Sequence, residues 1–180
     1  MKRFGKIALV LIALFVLAGN GFSKGVIAPQ QNYLGVAVGQ AWGLGISANF
    51  EHIAKKLTDL NGYIGVGAEI GYASHKDEFH LWGSNYGYKY TYIPIFGFAS
   101  YHFGTKSALD PYIRLGLGYI IVSDSYFGES GYETSVSPTT SYLGLAGQVG
   151  LRYQVSPNLF VRAALGMPWI FSAGVDFRLK

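Results

Sequence analysis

The chain has 180 residues, enough for one domain, and no cysteine, which excludes a disulfide scaffold. Its 14 Lys and Arg outnumber its 10 acids, but Lys2, Arg3 and Lys6 crowd the first six residues; the remaining 11 cations against 10 acids exclude an electrostatic footprint for nucleic acid. Half of the residues are apolar and only 13% are charged, where a soluble domain carries roughly 25%.

The N-terminal cations precede an apolar run from Ile7 to Ala18 and then the small residues Gly21 and Ser23 around Phe22. That order predicts a secretory signal peptide over residues 1–23, cleaved near Ser23. The run is shorter than the roughly 20 apolar residues of a membrane helix, which argues against an uncleaved anchor. No cysteine follows it to carry a lipid. Residues 24–32 are expected to form a loose periplasmic lead to a domain over 33–180.

From there a two-residue rhythm takes over, and successive side chains of a strand point to opposite faces. It predicts strands at Tyr33–Gln40 and Gly43–Glu51, the second with Leu44, Ile46, Ala48 and Phe50 on one face. Gly39–Gly43 between them reads as a hairpin or a kink. The third strand is Gly62–Ala73, with Ile64, Val66, Ala68, Ile70 and Tyr72 on one face. The fourth, Tyr88–Phe103, resists phasing. Tyr90, Tyr92, Phe96 and Phe98 share a face with Pro94, while Ile93, Ile95 and Phe103 share the other. Proline cannot donate a ladder hydrogen bond, so a bulge is expected at Pro94. The remaining strands are Pro111–Ser123, Ser141–Gln154, Asn158–Gly166 and Phe171–Leu179.

The greasy faces of these strands are free of charge. The opposite faces hold mostly glycine with an occasional Arg or acid, where a soluble sheet would carry Lys, Glu and Thr. That combination fits a barrel turned inside out, with lipid outside and a crowded polar lumen. No segment after residue 23 is a candidate transmembrane helix, and the closed barrel is the other structure that satisfies its backbone within a bilayer. Connectors Ser74–Gly87 and Asp124–Thr140 are long and fall at the same end of an up-and-down meander, as outer loops do, whereas Val155–Pro157 and Met167–Ile170 are short.

Particular stretches carry a family likeness. They are Tyr90-Thr91-Tyr92-Ile93-Pro94-Ile95, Tyr101-His102-Phe103, Asp110-Pro111-Tyr112 leading into Gly116-Leu117-Gly118-Tyr119, Gly150-Leu151-Arg152-Tyr153 with Pro157-Asn158, and Ala173 to Leu179. With them the chain resembles the small outer-membrane β-barrel proteins of Gram-negative bacteria, broadly OmpA/OmpX-like. The resemblance implies an all-β, eight-stranded antiparallel up-and-down transmembrane β-barrel in the bacterial outer membrane, in contact with outer-membrane lipid. Gly174, Phe177 and Leu179 resemble the terminal-strand signal read by the barrel-insertion machinery, although the chain ends on Lys180 where the usual form has an aromatic.

Alternation places Glu51, Glu69, Arg114, Arg152, Arg162, Asp176 and Arg178 on the lumen side. Three acids and four arginines should pair there, because isolated charges in a barrel just wide enough for side chains are expensive. Inward Gly65, Gly67, Gly116, Gly118 and Gly150 would make room for them. The expected result is a salt-bridged plug; the functional alternative is a narrow ion path or small-ligand cavity. Trp42, Tyr72, Tyr119, Trp169 and Phe171 are expected in the outer aromatic girdle, and Phe50, Phe103, Tyr153 and Phe177 in the periplasmic one.

Function is expected at the surface, structural or interactive, with an extracellular ligand at loops 74–87 and 124–140. No metal site is expected: His75-Lys76-Asp77-Glu78-Phe79-His80 matches no structural zinc spacing. No catalytic residue and no cofactor are assigned, since GxSxG, Walker and dinucleotide motifs are all lacking. Two alternatives are a lipid A-modifying enzyme using His102 and Ser100, for which no nearby acid is evident, and a secreted soluble barrel resembling lipocalins, which needs the faces reversed.

Overall fold

The computed structural model describes residues 26–81, 84–104, 107–127 and 139–179. The expected signal peptide lies outside them, as do 128–138 of the second long connector. Over the described residues the alternation becomes eight strands: β1 (Asn32–Gln40), β2 (Leu44–Leu57), β3 (Gly62–Leu81), β4 (Ser84–Phe103), β5 (Leu109–Phe127), β6 (Thr140–Ser156), β7 (Leu159–Met167) and β8 (Phe171–Leu179). They form a closed antiparallel barrel in sequence order. β1 closes on β8, with Asn32 opposite Leu179 and Gln40 opposite Phe171. Closure leaves no sheet edge around the girth, the condition for placing strands in hydrocarbon.

The faces are inside out. On β5, Leu115 and Leu117 are 70% and 53% exposed while Arg114 between their neighbours is 2% exposed. On β1 and β2, Leu34, Val36, Leu44 and Ile46 face outward while Tyr33, Asn49 and Glu51 are buried. A soluble ligand-binding barrel would have the opposite arrangement, so that alternative is overturned. The same parity phases β4: Phe96, Phe98, Ser100 and His102 are buried and Ile95 and Phe103 are exposed.

One open local reading is decided by the structure and others are corrected. Gly39–Gly43 is a true hairpin, with Gln40 opposite Leu44. Pro94 causes no bulge. The β3–β4 ladder lapses opposite Ile93 and Pro94 but resumes in the same register, Ile70 opposite Ile95 and Ala73 opposite Tyr92. A missing donor there interrupts bonding without inserting a residue. The register shifts occur instead at Ile53/Lys55 in β2 and Gln154/Ser156 in β6. Ser74–Gly87 is no loop: it is ladder from His75 opposite Tyr90 to Leu81 opposite Ser84.

The barrel is therefore lopsided. β3 and β4 have 20 residues each and β5 has 19, against 9 in each of β1, β7 and β8. At about 3.3 Å per residue, 20 residues reach about 66 Å and 9 about 30 Å. β2 begins opposite Ser74 and β6 begins opposite Val122. Beyond those points β3, β4 and β5 continue as a three-stranded sheet above a low rim.

The end that holds both β1's start and β8's finish is packed shut. Val26, Ile27, Tyr33, Ile53, Ala108 and Phe160 form a buried cluster. Residues 26–31 are thus not loose. The Gln30 amide donates to the Ile53 carbonyl at 2.7 Å, and the Ile53 amide donates to the Gln31 carbonyl at 2.8 Å. The Gln31 side-chain oxygen accepts from the Ala28 amide and the Tyr33 hydroxyl. Leaving those amides unpaired in an apolar cluster would be costly.

Candidate functional site

Inside the barrel the charges form one connected group. Glu51 on β2 sits at its centre. One oxygen accepts from Arg152 of β6 and lies 3.6 Å from Arg114 of β5. The other accepts from the Ser100 hydroxyl and lies 3.1 Å from His102 Nε2. Arg152 Nε donates to Asp176 of β8 at 2.6 Å, and Arg162 of β7 approaches the same carboxylate at 3.7 Å. Arg114 donates to Glu69 of β3 at 3.2 Å and lies 3.7 Å over the Phe98 ring. Glu51, Arg152 and Asp176 have no exposed surface. Pairing of this kind is what makes buried charge tolerable.

Six of the seven charges read from the sequence meet here. Arg178 does not. It lies half-buried at the termini end, where it donates to the Val26 carbonyl at 2.5 Å and stacks near Phe160. Two members were not in that set. Asp110 was placed in a connector, but β5 begins one residue earlier, and Asp110 lies directly opposite Arg152. Its parity with Tyr112 and Arg114 was the available signal. His102 is the other; its Nδ1 lies 2.9 Å from Asp110. Four carboxylates therefore face three guanidiniums, and a His102 ring donating from both nitrogens brings the charges to balance.

The acid missing beside Ser100 and His102 is thus present twice, as Asp110 and Glu51. The Ser–His–Asp order resembles a nucleophile relay. However, the Ser100 hydroxyl points its proton at Glu51, and Ser100, His102 and Asp110 are at most 2% exposed. The Ser100 hydroxyl also lies 3.1 Å from His102 Nε2, and enclosed in this way the three side chains are part of the ion-paired group.

The inward glycines make room for the charge group and for rings: a Cβ at Gly65 would stand 2.5 Å from the Ser100 hydroxyl and 2.9 Å from Glu51. A Cβ at Gly150 would stand 2.3 Å from the Tyr112 ring, and one at Gly67 2.6 Å from Phe98. Trp169 accounts for Gly39, Gly45 and Gly71, since a Cβ at Gly39 would already stand 3.0 Å from the indole. Expected in the outer girdle, it is 1% exposed, because the β7–β8 turn folds it over the charge group. Its indole nitrogen donates to Glu69 at 2.6 Å. A Cβ at Gly71 would come within 2.4 Å of the indole, and one at Gly45 within 2.8 Å. Trp169→Phe keeps the ring and loses a hydrogen bond to a charged group; it should lower stability by about 1.5–3 kcal/mol in urea unfolding of the detergent-folded barrel. Trp42 also leaves the girdle and stacks at 5.0 Å on Tyr92, which points into the mouth. Tyr72, Tyr119, Phe171, Phe50, Phe103 and Phe177 stay exposed on the outward face.

With barrel closure, an apolar exterior and a charged interior in place, the comparisons with known proteins agree. The family described as outer membrane protein beta-barrel domain matches residues 7–178. The chain belongs to that family. Among solved structures it is similar to the N-terminal beta-barrel domain of Pseudomonas aeruginosa OprF, at 18% identity and a TM-score of 0.52, covering 87% of this chain and 100% of that one. It is also similar to Ail, the attachment invasion locus protein of Yersinia pestis, solved in complex with the heparin analogue sucrose octasulfate. Identity there is 14% and the TM-score 0.51, covering 83% of this chain and 97% of that one. At these identities the likeness concerns the fold. No curated protein matches the chain in sequence. Family and neighbours together point to the bacterial outer membrane.

Proposed function

We propose that this barrel is an integral outer-membrane protein whose interior is a closed, salt-bridged strut and whose work is done by its tall end at the cell surface. The observation that carries the reading is Arg152. It sits in the middle of the interior, fully buried, between Glu51, Asp176 and Asp110. A barrel of eight strands is just wide enough for its own side chains, and here they hold one another. Trp169 at one end and the Val26–Phe160 cluster at the other add to the closure.

In this reading residues 1–23 direct export, the termini end faces the periplasm and outer-membrane lipid covers the outward leucines and isoleucines. The barrel-insertion machinery reads Gly174, Phe177 and Leu179; both of the larger side chains are more than 40% exposed on the outward face. The surface partner meets the 74–87 hairpin and the 124–140 connector. Two measurements test this. The purified barrel in planar bilayers should give no steady channel steps; a stable open conductance would overturn the closed interior. Because the chain has no cysteine, Glu78→Cys provides a single thiol on the tall sheet. A membrane-impermeant maleimide should label it on intact cells, and labelling only after lysis would reverse the orientation.

A further inference from the structure

The sheet that rises above the rim keeps its tyrosines on one side. On β4 the buried residues Phe96, Phe98, Ser100 and His102 set the inward parity, and Tyr92, Tyr90, Tyr88 and Tyr86 continue it upward. Strand register completes the rows. His75, Tyr90 and Asp124 stand directly opposite one another, as do Asp77, Tyr88 and Tyr126, and above them Phe79 faces Tyr86. The rings touch: Tyr88 and Tyr126 centroids are 5.5 Å apart, Tyr88 and Tyr90 6.3 Å. Phe79, Tyr88 and Tyr126 each leave more than a third of their surface open. Lys76, Glu78 and Lys89 occupy the other side of the sheet by the same parity. Unlike a fringe of scattered surface residues, this is a contiguous one-sided platform, and exposed patches of that kind mark interaction sites.

We propose that this inward face of the tall sheet is a binding site for the uncharged sugar rings of a glycan; the proposal rests on the surface reading above. A pyranose presents a flat face of C–H groups, whose partial positive charge suits the negative face of an aromatic ring. Tyrosine offers that contact with little side-chain entropy to lose and adds a hydroxyl. Sugar hydroxyls need acceptors, and Asp77 and Asp124 supply them beside the rings. A cation would also be drawn to rings and acids. Here, however, Asp77 is already paired with His75 at 2.8 Å, and in the described part of the sheet two lysines offset three acids. Both lysines lie on the other side, so the face itself carries only the two carboxylates, one of them paired; rings outnumber charges there, which suits a neutral ligand. The face looks across the low rim of β7, β8 and β1, directly above the apolar belt. The occupant is a neutral glycan from outside the cell, because the phosphates of the surrounding leaflet's saccharide would meet the carboxylates of Asp77 and Asp124.

The test uses the full barrel folded in detergent micelles, titrated by calorimetry with maltohexaose, with cellohexaose and with deacylated lipopolysaccharide core oligosaccharide. Saturable binding of at least one hexaose is expected. Tyr88→Ala and Tyr126→Ala should each weaken it about ten-fold or more, while Tyr88→Phe, which keeps the ring, and Lys89→Ala, on the other side, should leave it nearly unchanged. The shift in gel mobility between boiled and unboiled samples verifies that every variant is folded. Binding of either hexaose upholds the proposal; binding of the core oligosaccharide alone overturns it in favour of the surrounding leaflet. The proposal is overturned if none of the three binds at millimolar concentration, if Tyr88→Ala binds as tightly as the parent, or if only an oligoarginine peptide binds through Tyr88. A barrel labelled at Glu78→Cys on intact cells that binds no sugar sinks this inference alone; one that is not labelled sinks the surface reading instead.

Discussion

Glu51→Ala should destabilise the barrel by about 3–5 kcal/mol, the range for removing one partner of a buried ion pair. Four groups lose a contact at once. Arg152 keeps Asp176, Arg114 keeps Glu69 and His102 keeps Asp110, but Ser100 loses its acceptor and the interior gains an uncompensated positive charge. The residue has no exposed surface, so water cannot take the place of the carboxylate without entering the barrel. Glu51→Gln should fall between the parent and the alanine variant, since the amide fills the space and still accepts one hydrogen bond. Arg178→Ala is the internal control. That side chain is half-buried at the barrel end and its principal bond is to the Val26 carbonyl, so its loss should cost about 1 kcal/mol. Urea unfolding in micelles, with a common slope for all variants, reads the three differences. An alanine variant at position 51 within 1 kcal/mol or so of the parent would mean that packing, not charge pairing, holds the interior.

Leu117→Arg should cost about 2–4 kcal/mol if it enters the bilayer near its midplane. Leu117 points outward, 53% exposed, opposite Leu145 of β6, which is 74% exposed. A guanidinium there has no partner on the outward faces of either strand. The neighbouring position probes the other side of the same strand. A Cβ at Gly116 would stand 2.7 Å from the Gly97 carbonyl oxygen, so Gly116→Ala must displace backbone. Both variants should fold less completely into lipid vesicles, as scored by the unboiled gel band. An arginine at 117 that folds and unfolds like the parent would remove lipid from that face.

How much of this was legible follows from which signals are local. The charges of β5 to β8 could be assigned to the interior because each stands at an odd offset from the apolar residues of its strand, as Arg114 does from Ile113, Leu115 and Leu117. The hairpin at 74–87 was not legible for the converse reason. Above the rim both faces of the sheet carry polar residues, so alternation of hydrophobicity vanishes while strand pairing continues through Asp77 opposite Tyr88. Asp110 escapes the alternation because Pro111 hides a strand that starts two residues earlier, at Leu109, and Trp169 because no periodicity encodes the direction of a turn.

By itself, then, the sequence determined eight strands, their faces and the inversion of the barrel, because a strand's two-residue period is a property of adjacent residues. Only the tertiary structure decided which charges touch. Glu51 and Arg152 are far apart in the chain and on different sides of the ring; Ser100 and His102 reach the same Glu51 carboxylate, and Asp110 reaches His102 and Arg152, through closure and stagger. It also decided that Arg178 stops short of them, that residues 26–31 seal one end, and that the tyrosines of β4 line up with those of β5. Those outcomes depend on how far each strand slides past its neighbour when the sheet closes, a geometric condition on all eight strands that no single segment contains.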